Sequence, residues 1–192
     1  MADASVDSLK RRIRHASPTP VPNSEELPEA AVAIIIDPEI RDGAVLLIQR
    51  RERQGDPWSG QVAFPGGHKS PTDRSFLDTA IREASEEVGI DLREHEVIGS
   101  LPQVHSLSRR VIVAPYVFQL RSKASVRPNQ EVAEGFWVAL KDLVTMTVKK
   151  IEVSAGNGRL TVNSYVVEDH VIWGLTYRIL NILIDRPEPA DP

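Results

Sequence analysis

Between Phe76 and Val88 the chain can be little other than a helix lying on another layer. Leu77, Ala80, Ile81, Ala84 and Val88 recur every three to four residues, which places them on one stripe of a helix with a polar face opposite. Ser75 followed by Asp78 has the spacing of a capping box, with Asp in place of the usual Glu, and Gly89 suits the exit. A helix with one apolar stripe must cover a neighbouring surface, and the segments around it read as strands.

Ala30 to Ile36 and Ala44 to Gln49 are short, apolar and rich in β-branched residues. They are separated by Asp37-Pro38 and Asp42-Gly43, which predicts a hairpin. Gly60 to Phe64 is a third extended segment running into Pro65-Gly66-Gly67. Further strands are expected at Val97 to Leu101, Val111 to Leu120 and Gly135 to Leu140. A hairpin is expected from Val148 to Val167, turning at Gly156-Asn157-Gly158. Val171, Leu175, Ile179, Ile182 and Leu183 keep helical spacing and predict a closing helix ended by Pro187. The class is α+β, with strands predominating between two main helices and no internal repeat.

Residues 17–28 carry Pro18, Pro20, Pro22 and Pro28 and read as a linking arm behind a helix over Val6 to His15. The expected organisation is therefore a helix and arm over 1–28, one domain over 29–186, and a tail over 187–192. A net charge of −4 argues against broad attachment to nucleic acid or anionic lipid. The longest apolar run, Ala30 to Ile36, is far short of the roughly 20 residues of a membrane span. The chain has no cysteine, which excludes disulfides, thiolate metal sites and thiol nucleophiles, and the cytoplasm is the expected location. Lys10, Arg11, Arg12 and Arg14 form a basic cluster without an apolar run behind it; a solvated helix face is the expectation rather than an address.

Glu83, Glu86 and Glu87 stand at i, i+3 and i+4 of the central helix. Like charges at that spacing weaken a bare helix, so a divalent cation is the expected reward for them. Oxygen ligands suit Mg²⁺ or Mn²⁺, which share their remaining positions with water and substrate phosphates. Upstream, Phe64-Pro65-Gly66-Gly67 lets backbone approach an ion or phosphate closely. A metal between shelf and helix would neutralise a diphosphate and acidify a water. Glu86 or Glu131 is the candidate to take that water's proton.

The run Arg82-Glu83-Ala84-Ser85-Glu86-Glu87-Val88-Gly89-Ile90, with Gly67 before it, resembles the Nudix box. The second half matches completely. The first half departs: five residues lead from Gly67 to Asp73 rather than to Glu, and eight residues separate Asp73 from Arg82 where the box has seven. The resemblance implies an α/β/α sandwich with a mixed sheet and a metal-dependent pyrophosphohydrolase acting on a nucleoside diphosphate linked to another group. It implies Glu83 and Glu87 as principal metal ligands, Glu86 as ligand or base, and Arg82 as the residue orienting the glutamates. Glu131 lies before Trp137 at a spacing where some Nudix enzymes place a further metal-binding or basic glutamate, with Glu134 the weaker rival.

Beyond the box, Leu46-Leu47-Ile48-Gln49-Arg50 followed by Gly60-Gln61-Val62-Ala63-Phe64-Pro65-Gly66-Gly67 is similar to the coenzyme A pyrophosphatase branch. So are Gly99-Ser100-Leu101-Pro102, Asn129 to Phe136, and Ile172-Trp173-Gly174-Leu175-Thr176, which together cover residues 30–184. That branch implies hydrolysis of coenzyme A to adenosine 3′,5′-bisphosphate and 4′-phosphopantetheine. One departure bears on the substrate: Asp56 stands where the branch usually has an arginine, in a loop one residue longer, with Arg51 or Arg53 available to compensate. An ADP-sugar or dinucleotide is the alternative.

Arg50 at a strand end is placed to grip a phosphate, and Arg109 or Arg110 to reach a 3′-phosphate. Trp58 suits either stacking on a purine or loop packing. Trp137 and Trp173 read as core, and His105 as a structural hydrogen-bonding residue. The competing classes are a non-catalytic nucleotide-binding domain, marked by loss of a helix glutamate that is not seen here, and sanitation of oxidised nucleotides. A homodimer is compatible with the sequence, which carries no pattern that demands one.

Overall fold

The computed structural model describes residues 5–15, 28–55, 58–106, 111–155 and 158–187. The arm before Pro28, Asp56 and Pro57, Arg109 and Arg110, the Gly156-Asn157 turn and residues from 188 onward lie outside them. In chain order the elements are α1 (Val6–His15), β1 (Ala30–Asp37), β2 (Ala44–Arg50), β3 (Val62–Ala63), β4 (Gly66–His68) and α2 (Phe76–Val88). A single 3₁₀ turn, Leu92–Glu94, leads to β5 (Glu96–Ser100), β6 (Val104–His105), β7 (Ile112–Gln119), β8 (Val132–Ala139) and α3 (Leu140–Thr145). The remainder is β9 (Lys149–Ala155), β10 (Gly158–Val167), β11 (His170–Trp173) and α4 (Gly174–Leu183).

The main sheet has eight strands along the path β3-β2-β1-β7-β5, with β4 on β1, β6 on β7 and β8 on β2. It is mixed because β1 and β7 run parallel while its other pairs are antiparallel. One feature of this sheet makes the site. The predicted β1–β2 hairpin is real, but its strands pair only at Ile36–Val45 and Asp37–Ala44. They then diverge. β8 takes one edge of β2 from Ala44 to Arg50, so β1 and β3 must share the other. β3 pairs with Ile48 and Gln49 while β4 pairs with Ala30 to Val32. The glycine segment is therefore a wedge between two splayed strands, each with its own hydrogen-bonded ladder.

Each face of the sheet buries its own core. On one, Ala31, Ala33, Ile35, Leu46 and Ile48 meet Ala80, Ala84 and Val88 of α2. On the other, Ile34, Ile36, Val45 and Leu47 meet residues of α1, α3 and α4 and of the second sheet, β11-β10-β9. This is the sandwich expected. Among the described residues no helix is long and apolar enough to cross a membrane.

Several boundaries differ from expectation. Val171 belongs to β11 rather than to the last helix and is exposed, and Ile182 is exposed on α4. β8 begins before Gly135, and Leu140 opens α3. The face of α1 is docked rather than solvated: Leu9 and Ile13 are buried, Lys10 Nζ lies 2.9 Å from Glu96 Oε2, and Arg12 donates to the Leu183 carbonyl. Two glycines make room for it. An added Cβ at Gly43 would lie 2.8 Å from Val6 Cγ2, and one at Gly99 2.7 Å from Ile13 Cγ2.

Candidate active site

The central helix is fastened at both ends. Ser75 accepts the Asp78 N–H, and Gly89, with φ of 71°, returns its N–H to Ala84 and Ser85, a left-handed exit that glycine adopts without strain. Two further carbonyls of the last turn are taken by a loop from far along the chain. Arg127 N–H donates to Val88 O (2.8 Å) and Asn129 N–H to Glu87 O (3.0 Å). Asn129 then accepts the Glu131 N–H on its side-chain oxygen (2.8 Å), an Asx turn that fixes where Glu131 enters.

Glu83 and Glu87, one turn apart, face the glycine wedge. Gly66 N–H donates to Glu87 Oε2 at 2.9 Å, and a Cβ added to Gly67 would lie 2.5 Å from Glu83 Oε1. Neither glycine has a positive φ; a side chain at Gly67 would occupy the space of the Glu83 carboxylate, and one at Gly66 would strike the β1 backbone at Ala31 and Val32. Glu86 points elsewhere. It is mostly exposed and lies 3.0 Å from Arg82 Nη1. The three carboxylates expected to converge thus divide into an inner pair, Glu87 buried and Glu83 half-buried, and an outer one.

Arg82 organises this division from beneath. Its Nε and Nη2 donate to Asp73 at 3.0 Å, its Nη2 also to His68 O at 3.1 Å, and its Nη1 lies 2.8 Å from Glu83 Oε1. Asp73 is buried and additionally accepts from Ser70 N–H (2.9 Å) and Thr79 Oγ1 (3.0 Å). The hydrogen bonds from Arg82 are the main reason its carboxyl is held down at about 2, and Asp73 in turn raises the guanidinium's pKa. Asp73 therefore anchors Arg82 despite the longer spacing in the first half of the box. Spacing alone leaves this open, because the position of Asp73 is set by a turn closed through its backbone, where Asp73 N–H returns to Ser70 O (3.0 Å).

Glu87 is only 3 % exposed. Burial pushes its carboxyl up to about 7, against the pull of the Gly66 N–H; the nearby charges of Glu83 and Glu131 raise it further and Arg50 lowers it. Glu83 is raised as well, chiefly by burial. Arg50 Nη1 lies 3.9 Å from Glu87 Oε1, and Glu131 Oε1 lies 3.1 Å from Arg53 Nη1. Arg50, Gly66, Gly67, Arg82, Glu83, Glu87 and Glu131 are thus brought together, and Glu86 stands at the margin. Among the described residues no three carboxylates or imidazoles are already clustered into a metal cage. What they offer is a donor set: hard oxygens, desolvated and mutually repelling, which is a fit for a small divalent cation.

Glu134, the rival to Glu131, lies on the other face of the sheet. The β2–β8 pairing slips between Gln49 and Arg50, which oppose Glu134 and Val132, and such a bulge breaks the regular alternation, so that Val132 and Glu134, two residues apart, face opposite sides of the sheet. Val132 joins the core beneath α2, while Glu134 Oε1 meets His170 Nε2 at 2.8 Å. His105 lies on β6 and gives its carbonyl to Arg178 Nη1 (2.6 Å). Trp137 packs against the core beneath α2, and Trp173 precedes α4 half-buried.

The geometry places a carboxylate helix over a glycine wedge, and residues 26–158 match the NUDIX domain. The chain belongs to the Nudix family. It is similar to the uncharacterised Nudix hydrolases NudL of Photorhabdus laumondii, at 37 % identity over 73 % of this chain and 76 % of the relative, and of Pectobacterium atrosepticum, at 36 % over 74 % and 77 %. Among solved structures, an Ap4A hydrolase of C. elegans superposes with a TM-score of 0.51 at 21 % identity, covering 61 % of this chain and 84 % of that one. A MutT/nudix family protein of Enterococcus faecalis gives 0.50 at 18 %, covering 94 % and 73 %; at such identities the likeness shows the fold. This Nudix hydrolase is accordingly a pyrophosphohydrolase of nucleotide derivatives, a family that generally works with divalent metal ions.

Proposed function

We propose that this Nudix hydrolase cleaves the pyrophosphate of coenzyme A, giving adenosine 3′,5′-bisphosphate and 4′-phosphopantetheine, with Mg²⁺ or Mn²⁺ held by Glu83 and Glu87. The observation that carries the chemistry is the buried Glu87, fixed by Gly66 N–H beside Glu83 over the wedge. A bound Mg²⁺ or Mn²⁺ supplies neutralisation of diphosphate charge and acidification of a water. The chain's own residues do the rest. Arg50, at the end of β2 and 3.9 Å from Glu87, grips a phosphate oxygen. Arg82, locked onto Asp73, holds Glu83 in place. Glu131 takes the proton of the attacking water as the new P–O bond forms and the bridging P–O bond breaks. Both products leave as phosphate monoesters.

The substrate reading is supported by how the two upstream segments meet. Leu46 to Arg50 and Gly60 to Phe64, which resemble the coenzyme A branch, pair as β2 and β3. Arg50 N–H also donates to Gln61 O (3.0 Å) and the Gln49 amide to Gly60 O. They form one substructure that ends at the glycine wedge.

The test is incubation with Mg²⁺ or Mn²⁺ and coenzyme A, ADP-ribose, NADH, diadenosine polyphosphates or oxidised dGTP, with products separated by chromatography and Glu87→Gln as control. Coenzyme A is expected to be turned over most efficiently, releasing 4′-phosphopantetheine. Preference for another diphosphate would overturn the substrate, and no metal-dependent cleavage at all would overturn the chemistry.

A further inference from the structure

We propose that Arg53 is a positioning residue that holds the Glu131 carboxylate outside the metal site until a phosphate of the incoming substrate takes its guanidinium. The inference rests on the reading of Glu131 as the proton acceptor. Arg53 lies in the loop after β2, where its N–H donates to Ser59 Oγ (2.7 Å). Its side chain reaches the segment before β8: Nη1 donates to Glu131 Oε1 (3.1 Å) and Nη2 to Gln130 O (3.4 Å). The Glu131 main chain cannot follow a moving side chain. Its carbonyl accepts Arg51 N–H (2.8 Å) and its N–H is held by Asn129. With the backbone pinned, the carboxylate has two places to go by side-chain rotation: outward to Arg53, or inward toward Glu87, which lies 3.9 Å from Arg50, the strand partner of the adjacent Val132.

The arginines around the site are not equivalent. Arg82 is sealed over the buried Asp73 and has no freedom to exchange partners. Arg53 and Glu131 are 44 % and 43 % exposed, and ion pairs in such solvent are weak. A diphosphate offers Arg53 a bidentate, more highly charged partner. Substrate arrival and delivery of the base thereby become one event, which keeps an inward-facing Glu131 from adding to the repulsion between Glu83 and Glu87 beforehand.

The experiment is Mn²⁺ titration by electron paramagnetic resonance without substrate, on wild type, Arg53→Ala, Glu131→Gln and the double variant, followed by steady-state kinetics on coenzyme A or ADP-ribose, whichever is turned over. Releasing Glu131 inward should tighten Mn²⁺ binding in Arg53→Ala by up to about fivefold, the ceiling set by an exposed ion pair. The double variant should bind as Glu131→Gln does. Loss of the phosphate contact should raise KM of Arg53→Ala by about tenfold, with the loss falling on KM more than on kcat and Arg53→Lys recovering part of it. Unchanged or weaker Mn²⁺ binding in Arg53→Ala, or a loss confined to kcat, would overturn the proposal. Wild-type kcat in Glu131→Gln would instead overturn the proton-acceptor reading, while the Mn²⁺ comparison still decides whether Arg53 restrains that carboxylate.

Discussion

Glu87→Gln should abolish activity and, in the metal-free protein at alkaline pH, increase stability. Glu87 is 3 % exposed and its carboxyl is raised from 4.5 to about 7, first by burial. Between those values the unfolded chain has released the proton and the folded chain still holds it. Folding is therefore penalised progressively as pH rises through that window, and constantly above it. Carrying the charge at pH 8 costs about 3 kcal/mol at about 1.4 kcal/mol per pH unit. The amide can still accept the Gly66 N–H, but its buried NH₂ group loses a partner, which offsets about 1 kcal/mol. The net gain of about 2 kcal/mol corresponds to about 4–8 °C in Tm for a chain of this size. Thermal unfolding in EDTA, followed by circular dichroism, should show the variant more stable than wild type at pH 8 and no more stable at pH 4. Saturating Mn²⁺ should reverse the order at pH 8, because only the wild type keeps both ligands. A variant less stable than wild type at pH 8 in EDTA, or a gap that does not change with pH, would refute the argument from desolvation.

The two shelf glycines should respond differently to alanine. At Gly66 the new carbon strikes the Ala31 carbonyl oxygen and lies 2.7 Å from Val32 Cα, so Gly66→Ala should lose about 1–3 kcal/mol in denaturant titration. At Gly67 it meets only the movable end of Glu83, so Gly67→Ala should keep its Tm while Mn²⁺ affinity and kcat fall. Asp73→Asn removes the charge beneath Arg82 and should cost about 3 kcal/mol. Because the Asp73 carboxyl is lowered from 3.8 to about 2, that difference should be full above pH 4 and shrink as pH falls toward 2, measurable by unfolding across that range. Glu131→Gln should lower kcat by about 10²-fold or more. Glu86→Gln, at an exposed carboxylate paired with Arg82, should stay within about tenfold in the same assay.

The central helix was legible in full: its stripe, its Ser75 cap and its Gly89 exit all depend on residues within one turn of each other. Strands with β-branched runs were legible for the same reason. β4 and β6 were not, because Gly66–His68 lacks β-forming residues and Val104–His105 is only two residues long, so both are strands through their partners on β1 and β7. The helical spacing of Val171 with Leu175 misplaced the start of α4, since a β-strand entering a helix can keep that spacing by accident. At the site, the sequence placed Glu83 and Glu87 together. It did not separate Glu86 from them, because i, i+3 and i+4 span an arc wide enough for Arg82 to draw one member outward. Glu131 stood out by its spacing from Trp137, whereas its tie to Arg53 depends on two loops meeting across β2 and β8. The dismissal of Glu134 depends on a bulge that periodicity does not reveal.

The wedge between β1 and β2 separates two evolutionary problems. The chemistry sits on Gly66 and Gly67, which are locked to β1 by a ladder and to α2 through Glu87. The segment between β2 and β3, which carries Arg51, Arg53 and Trp58, is tied instead to Gln130, Glu131 and Val132, through Arg51 and Arg53. Its length and charge can drift without displacing either glycine. A lineage can therefore explore new diphosphate substrates by remodelling one surface loop while its hydrolytic apparatus remains intact.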